Sequence, residues 1–257
     1  MRVFVASAYY TYRGTLAWLT PASFIGQQLL IPFGQVTFFS LIGQYGGSQS
    51  LDFYLIGNAM LLAASACMYI PVVINEERLI GTLQFLVVSP ANRLALFTGR
   101  IAGHFMEGVL WILIAFGWAV IAFGLDIPVS TWGGLLLAIA VASLAAVGLG
   151  LLLGGFTYLS LDASISLNGV IFALLLVSGA NIPVEELPRW LAAIGEVLPV
   201  THSIEAARRI FAGEPFAEAA PLLATDIAIG TAYGVAGLAL FGWLESQARR
   251  RGTLEGI

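Results

Sequence analysis

The chain has 257 residues, of which 59% are hydrophobic and only 10% are charged. A soluble globular domain is nearer half apolar and about a quarter charged, so this composition excludes an ordinary soluble protein. The net charge of −4 gives no indication of nucleic acid, because the membrane that so apolar a chain predicts would separate its charged residues. No nucleic-acid partner is therefore expected. The single cysteine, Cys67, cannot form an internal disulfide and reports nothing about redox compartment.

The apolar residues gather into six long runs, and a helix that crosses a bilayer needs about 20 mostly apolar residues. The runs are continuous, whereas the strands of a membrane barrel would show short alternating segments. Helices also satisfy every backbone amide locally in lipid. The sequence therefore predicts an all-α integral membrane protein with one domain, residues 1–257, and six transmembrane helices. The predicted spans are 18–43, 51–74, 101–124, 132–159, 163–181 and 222–243.

Arginine placement predicts the orientation, because basic residues favour the cytoplasmic side of a membrane. All eleven basic residues are arginines, and six spans put both termini on one side. The opposite side would hold only Arg189, Arg208 and Arg209. We therefore expect a multi-pass protein of the cell membrane with both termini in the cytoplasm. The cytoplasmic arginines would be Arg2, Arg13, Arg78, Arg93, Arg100, Arg249, Arg250 and Arg251.

Two polar segments are predicted on the cytoplasmic side. Residues 1–14 are aromatic, too short and too polar to span, and are expected to form an interfacial helix, the alternative being a disordered tail. After the second span, Asn75 can cap a helix, and Glu76 and Glu77 suit its positive N-terminus. Apolar residues then recur on one face until Pro90 stops the segment. This predicts a helix of about three and a half turns along the membrane, either an anchor or a docking element for a cytoplasmic partner.

The longest outer connection, 181–221, holds two short amphipathic pieces separated by Pro199. The first carries Trp190 among apolar residues at helical spacing, and the second carries Ile204, Arg208 and Phe211. Neither piece is long enough to span. We therefore expect re-entrant outer half-helices between spans five and six, in or on the outer leaflet, with Trp190 at headgroup level.

Small residues also recur at close-packing spacing within the predicted spans. Such pairs fit packing within one chain better than a dimer seam. They are Gly99 and Gly103, Gly150 and Gly154, and Gly230 and Gly234.

Two stretches resemble the permeases of type-2 ATP-binding-cassette exporters. The stretch "EERLIGTLQFLVVSPANR", 76–93, is similar to the loop after the second span in that family. It has an acidic pair, a "GT", a short apolar helix and a small-Pro turn with a basic residue. The stretch "SGANIPVEELPRWLAAIGEVLPVTHSIEAARRI", 178–210, resembles the family's fifth-span exit. Both fall at the expected places in a six-span chain, and the resemblance covers nearly all of it.

The resemblance implies a partner and a division of roles. In that family the cytoplasmic loop and the N-terminal interfacial helix contact a nucleotide-binding ATPase subunit, and two permeases work with two ATPases. The second permease would be a copy of this chain or a paralogue, and ATP and Mg would be held by the ATPase, with no cofactor in this chain. The outer half-helices would line or cap the exit. The implied ATPase-coupling residues are Glu76, Glu77, Arg78, Gly81, Thr82, Pro90 and Arg93, and the implied outer residues are Pro183, Trp190, Pro199 and His202.

The lysine content agrees with that division. A phosphate-binding P-loop needs Gly-x-x-x-x-Gly-Lys-Ser/Thr, and these 257 residues contain no lysine. The chain is therefore not expected to be an enzyme, and ATP hydrolysis is expected in a separate polypeptide.

Polar side chains inside the spans are candidates for lining a transport path. Gln28 and Gln35 are seven residues apart, with Pro32 on the same face. In the resembled family the path runs between the two permeases, near the first, second and fifth spans. The alternative is hydrogen bonding between helices of one subunit, worth about 1 kcal/mol each. The candidates are Gln28, Gln35, Asn58, Ser65, Ser164 and Asn168.

His104 and Glu107 share a face of the third span, where ionisable residues suggest function. Two ligands make no zinc site, so no metal site is predicted. A proton relay is an alternative to an ordinary paired or hydrated site.

The function expected is the membrane subunit of an ATP-driven exporter that moves an amphipathic or lipid-like cargo, such as a drug or a lipid-linked glycan, out of the cytoplasm. The hydrophobic cargo follows from the lack of a charged vestibule, and the direction from the resemblance alone. One alternative is an ion-coupled secondary transporter, which usually shows inverted repeats and ionisable groups at mid-membrane. The other is a membrane-embedded lipid enzyme, for which no acid/base pair is found.

Overall fold

The computed structural model describes residues 20–47, 49–67, 70–72, 93–157 and 163–251. Within these ranges every regular element is helical, and none is a strand. This confirms the all-α prediction for this part of the chain. The helices are α1 (Pro21–Gly46), α2 (Leu51–Cys67), α3 (Arg93–Phe123), α4 (Trp132–Thr157), α5 (Ala163–Val177), α6 (Arg189–Val197), α7 (Thr201–Phe211) and α8 (Phe216–Arg251), with 3₁₀ turns at Val129–Thr131 and Val184–Glu186.

Five of the described helical segments are long and apolar enough to cross a membrane. They correspond to predicted spans one to four and six. At the position of the fifth predicted span, α5 has 15 residues, fewer than the ~20 that a bilayer needs. Five spans are therefore supported by length and composition, and the sixth stays a prediction. The five segments are Ala22–Gly46, Leu51–Val72, Ala102–Phe123, Val129–Phe156 and Phe216–Leu244.

Helix starts follow the local sequence. The helices α2 and α4 begin at the predicted residues, Leu51 and Trp132. The first helix begins three residues later than predicted, because the Thr20 side chain accepts a hydrogen bond from the Ser23 amide and Pro21 occupies the first helical position. Pro32 lies inside this helix. One turn earlier, the Leu29 carbonyl accepts a hydrogen bond from the Trp118 indole of α3 at 3.2 Å.

The helix α2 lies at the centre of the bundle. It packs against α1, α3, α4, α5 and α7, and every residue from 54 to 64 is buried. Large side chains of α3, including Trp111 and Phe116, complete this core. By contrast, only 22% of the most apolar window of α1 and 17% of that of α8 is buried. Such wide apolar surfaces on a single chain fit lipid or a second membrane chain rather than water.

Glycines allow α4 and α8 to approach closely. A Cβ atom at Gly237 of α8 would lie 2.7 Å from the backbone of Leu151 and Leu152 in α4. A Cβ atom at Gly230 would meet the backbone of Ala145, also in α4. For Gly230 and Gly234, the predicted packing within one chain is therefore confirmed, because small residues let membrane helices approach each other.

We call the end of the bundle that carries residues 178–215 the outer end, following the predicted orientation, and the opposite end the inner end. The predicted N-terminal interfacial helix, the insert from 73 to 92 and the turn at 158–162 lie outside the described residues. The ATPase-coupling role therefore stays a prediction for Glu76, Glu77, Arg78, Gly81, Thr82 and Pro90. Arg93 is the first residue of α3.

Candidate functional site

The outer end is built from a turn and two short helices that follow α5. Gly179 has φ +80°, which turns the chain back after the last residues of α5. The Pro188 carbonyl accepts from Leu191 and Ala192 and so starts α6, as expected for a proline just before a helix. Leu198 and Pro199 end α6, and α7 begins at Thr201. The two predicted half-helices and their break at Pro199 are therefore present.

The helix α6 leaves its apolar side uncovered. Trp190 is 67% exposed, and Ile194 and Val197 are also exposed. The opposite side rests on the end of α5, where Gly195 is buried against Val177. An uncovered apolar face with tryptophan fits the predicted place at the headgroup level of a leaflet, which remains a proposal.

The helix α7 differs from α6, because its apolar side is not left uncovered. It packs against α2, α4 and α8, and its apolar side is covered by protein. Ile204 and Ala207 are fully buried, and Ile210 lies against Gly134 of α4. Its apolar face closes the outer end of the bundle, and its predicted place in or on the outer leaflet stays a prediction. The two half-helices remain joined, since His202 Nε2 lies 3.0 Å from the Glu196 carbonyl oxygen.

A buried carboxylate fixes the start of α7. Val200, which precedes the helix, has φ +79° and offers no side chain to cap it. The Asp226 Oδ2 atom of α8 instead accepts the Ser203 amide at 2.8 Å. A side-chain oxygen near a helix N-terminus accepts from an amide that has no partner within the helix. The Asp226 side chain is fully buried in protein, where it joins α7 to α8.

A buried guanidinium fixes the other half of α7. Arg208 Nη2 donates to the Phe53 carbonyl of α2 at 3.0 Å and to the Ala180 carbonyl at 3.2 Å. Its Cζ atom lies 3.4 Å from the centroid of the Phe53 ring. Burial lowers the pKa of Arg208 to about 10, while Glu205 and Glu185 act in the opposite direction. The side chain therefore remains charged at neutral pH.

The neighbouring Arg209 has a different environment. Its Nε donates to Glu205 Oε1 at 2.9 Å, one turn earlier on the same helix face. That hydrogen bond raises the pKa of Arg209. Both side chains of the pair are more than a third exposed, so the pair is worth only a few tenths of a kcal/mol.

Polar contacts next to Arg208 connect the outer halves of three other segments. Asn58 Nδ2 donates to the Tyr54 carbonyl at 2.9 Å and to Asn181 Oδ1 at 3.0 Å. Gln35 Nε2 of α1 lies 3.5 Å from the Asn58 carbonyl, and Asn181 donates to the Leu175 carbonyl. The predicted polar residues Gln35 and Asn58 are therefore brought together, along with Asn181, which had no assigned role.

A second polar cluster lies in the inner half of the bundle, between α1 and α3. Gln28 Nε2 donates to Glu107 Oε1 at 3.3 Å, and the Trp111 indole donates to Gln28 Oε1. His104 Nδ1 lies 3.5 Å from the other Glu107 oxygen. Gln28 and His104 are buried, while Glu107 is partly accessible. The cluster joins two helices of the same chain.

The remaining candidates are dispersed. Ser65 is half-buried in α2, Asn168 is exposed on α5, and Ser164 lies in the first turn of α5. Pro183 is half-buried just before the 3₁₀ turn, and Pro199 is buried. Among the described residues, no group of three or more His, Cys, Asp or Glu side chains could hold a metal ion.

The sequence contained a signal for the buried roles of Arg208 and Asp226, which were not predicted. Arg208 is spaced four residues after Ile204, so it falls on the apolar face of its helix, where an arginine needs buried partners. Asp226 is a lone acidic residue near the start of an apolar span. Their partners are carbonyl and amide groups distant in sequence, which no local pattern reveals.

In the described residues, which are helical wherever they form regular elements, five apolar segments and the short helices held by Arg208 and Asp226 define a polytopic membrane protein. Residues 24–244 match the family model described as ABC-2 family transporter protein. The chain therefore belongs to this family, which confirms the predicted resemblance to type-2 ATP-binding-cassette permeases. Members of the family are membrane components of transporters and are not themselves catalytic.

One curated relative is similar over part of its length. The chain is 29% identical over 171 residues to ABC transporter G family member 20 of Dictyostelium discoideum. The matched region is 65% of this chain and 23% of that relative. The chain thus spans less than a quarter of the relative's length.

Proposed function

We propose that this chain is the permease subunit of an ATP-driven exporter that carries an amphipathic or lipid-like cargo out of the cytoplasm. The observation that carries the proposal is the family match across residues 24–244. These 257 residues contain no lysine, and a P-loop needs a lysine to reach the phosphates, so the ATP-binding site is proposed to lie outside them. We further propose the cell membrane as its location, with both termini in the cytoplasm and with lipids as neighbours.

The proposed transporter contains two permease chains and two nucleotide-binding subunits that hold ATP and Mg. The wide uncovered surfaces of α1 and α5 support a second permease, since Leu30 is 66% and Phe172 is 69% exposed. The insert between α2 and α3 would contact the ATPase through Glu76, Glu77, Arg78, Gly81, Thr82, Pro90 and Arg93. Closure of the ATPases would then move α2 and α3, between which the insert lies in the chain.

The path between two such chains would be lined by the polar residues that one chain leaves accessible. Gln35, Ser65 and Asn168 are at least partly exposed, and Ser164 is proposed with them. Gln28 and Asn58 are buried and bonded within the chain, which favours packing for these two. The outer half-helices, with Pro183, Trp190, Pro199 and His202, would close the exit of this path.

An ion-coupled transporter is the second candidate, because His104 and Glu107 form an ionisable pair within an apolar helix. Nothing among the described residues forms a catalytic arrangement that would favour the lipid enzyme.

Purification of the tagged chain from its native membrane tests the choice. The proposal predicts a co-purified nucleotide-binding subunit and ATP hydrolysis by the complex. Proton- or sodium-driven uptake of a fluorescent amphipathic dye by the chain alone would favour the second candidate.

A further inference from the structure

The Arg208 guanidinium occupies a socket whose close contacts require glycine at position 57. Its Nη2 donates to two carbonyls, those of Phe53 and Ala180, from different segments of the chain. An ideal Cβ at Gly57 would lie 2.5 Å from Arg208 Nη2 and 2.5 Å from the Ala180 oxygen. The Gly179 turn, with φ +80°, places the Ala180 carbonyl within reach. One side chain of α7 therefore joins the outer ends of α2 and α5.

The partners of this charge are all neutral. A buried guanidinium is usually paired with a carboxylate, which repays part of its desolvation. Arg208 has instead two carbonyls and the face of the Phe53 ring, and its Nε has no hydrogen-bond partner among the described residues. The carboxylates of Glu185 and Glu205 act on it electrostatically without forming an ion pair. The bound position therefore lacks the direct charge–charge contact with a carboxylate that would otherwise oppose release of the guanidinium.

The other end of α7 is held differently. There the Asp226 carboxylate is fully buried and accepts a backbone amide of the helix itself. The hydroxyl of Tyr233, also on α8, donates to the Val197 carbonyl at 2.8 Å and so holds α6 as well. Besides the packing of α6 on α5 and of α7 on α2 and α4, the half-helices are thus attached to α8 at one side and to α2 and α5 through Arg208 at the other.

We propose that Arg208 is a positioning residue that latches α7 onto the outer ends of α2 and α5 and thereby holds the exit closed. The inference rests on the proposed function only in calling this end the exit. Release of the guanidinium from its socket lets α2 and α5 separate from α7, while α7 stays attached to α8. The latch is distinct from the ATPase contact that is proposed for the insert between α2 and α3.

Access to Ser178 measures the state of this latch. Ser178 is fully buried, and its hydroxyl lies 3.4 Å from the Ala180 amide, directly beside the socket. The experiment uses the complete transporter in proteoliposomes, with Cys67→Ser and Ser178→Cys, and a membrane-impermeant maleimide as the probe. Arg208→Gln is expected to accelerate labelling about tenfold or more, equivalent to a shift of ~1.4 kcal/mol toward the open state. Arg209→Gln is the matched control and should label at the parent rate.

Three further measurements keep the test decisive. Gly57→Ala disturbs the socket without changing any charge, and it should accelerate labelling like Arg208→Gln. Arg208→Lys keeps the charge but loses the planar stacking, and it should give an intermediate rate; it replaces Arg208→Gln if that variant does not fold. Trapping with ATP and vanadate should accelerate labelling of the parent but should not accelerate labelling of Arg208→Gln further. A purely structural arginine would not produce this difference between the parent and the variant.

Folded Arg208→Gln and Gly57→Ala variants that label no faster than the parent would overturn the latch. A labelling rate of the parent that does not change with nucleotide would overturn the release of the Arg208 guanidinium during the transport cycle. Accelerated labelling in a complex that shows no ATP-dependent transport would keep the latch and contradict the proposed function instead.

Discussion

Adding one methyl group at Gly237 should separate α4 from α8 and destabilise the bundle. The new Cβ would lie 2.7 Å from the Leu151 carbonyl carbon and the Leu152 nitrogen, and 2.9 Å from the Leu151 oxygen. Ordinary carbon contacts lie at about 3.5–4.0 Å, so the helices must part by close to 1 Å. The obstacle is backbone, so no change of rotamer relieves it. Overpacking of this kind costs about 1–3 kcal/mol.

The same helix supplies the control. Gly242, five residues later, has no atom within 4 Å of an ideal Cβ. Gly242→Ala should therefore stabilise α8 by up to about 1 kcal/mol, since alanine is the better helix former. Thermal unfolding in detergent, followed by size-exclusion chromatography at matched protein concentration, compares Gly237→Ala, Gly242→Ala and the parent. Equal midpoints for the two variants would refute the close packing of α4 on α8.

Three further predictions concern the proposed transporter. Charge reversal at both Glu77 and Arg78 should uncouple ATP hydrolysis from transport while the chain remains inserted; unchanged transport and ATPase binding would make this segment an anchor only. Asp226→Leu should lower the free energy of unfolding by about 1–3 kcal/mol, because the Ser203 amide loses its buried acceptor. Asp226→Asn keeps an acceptor and should lower the free energy of unfolding less, so equal losses for the two variants would contradict the capping role. Gln28→Leu should reduce thermal stability more than Gln35→Leu, because it removes the hydrogen bonds of Gln28 to the Trp111 indole and to Glu107. Gln35→Leu should instead alter cargo preference, and the reverse order would place Gln28 in the path.

The helices of the bundle were predictable because each one is a local pattern. A run of apolar residues of the right length indicates a span wherever it packs, and α2 and α4 begin at the predicted residues. The break at Pro199 was equally local, since proline cannot continue a helix. The short α5 shows the limit of counting apolar residues, because the chain turns at Gly179 before the predicted end of the span at residue 181.

The burial of α7 could not be predicted in the same way. Its amphipathic pattern requires an apolar surface opposite, but lipid and protein satisfy that pattern equally. The decisive contacts connect Arg208 to Phe53, 155 residues away, and Ser203 to Asp226. Gln28 shows the same difficulty, since its polarity within a span fits both a path and a hydrogen bond to Glu107, and the sequence does not choose between the two.

The central claim is that this chain transports only as part of an ATP-driven complex. The direct measurement compares two preparations of proteoliposomes, one with the purified chain alone and one with the chain and its co-purified ATPase. The probe is a fluorescent short-chain phospholipid, and ATP is supplied on the side of the ATPase. The account predicts ATP hydrolysis and movement of the probe only in the second preparation, with neither in a control whose ATPase lacks its P-loop lysine. ATP hydrolysis by the chain alone, or movement of the probe without the ATPase, would contradict it.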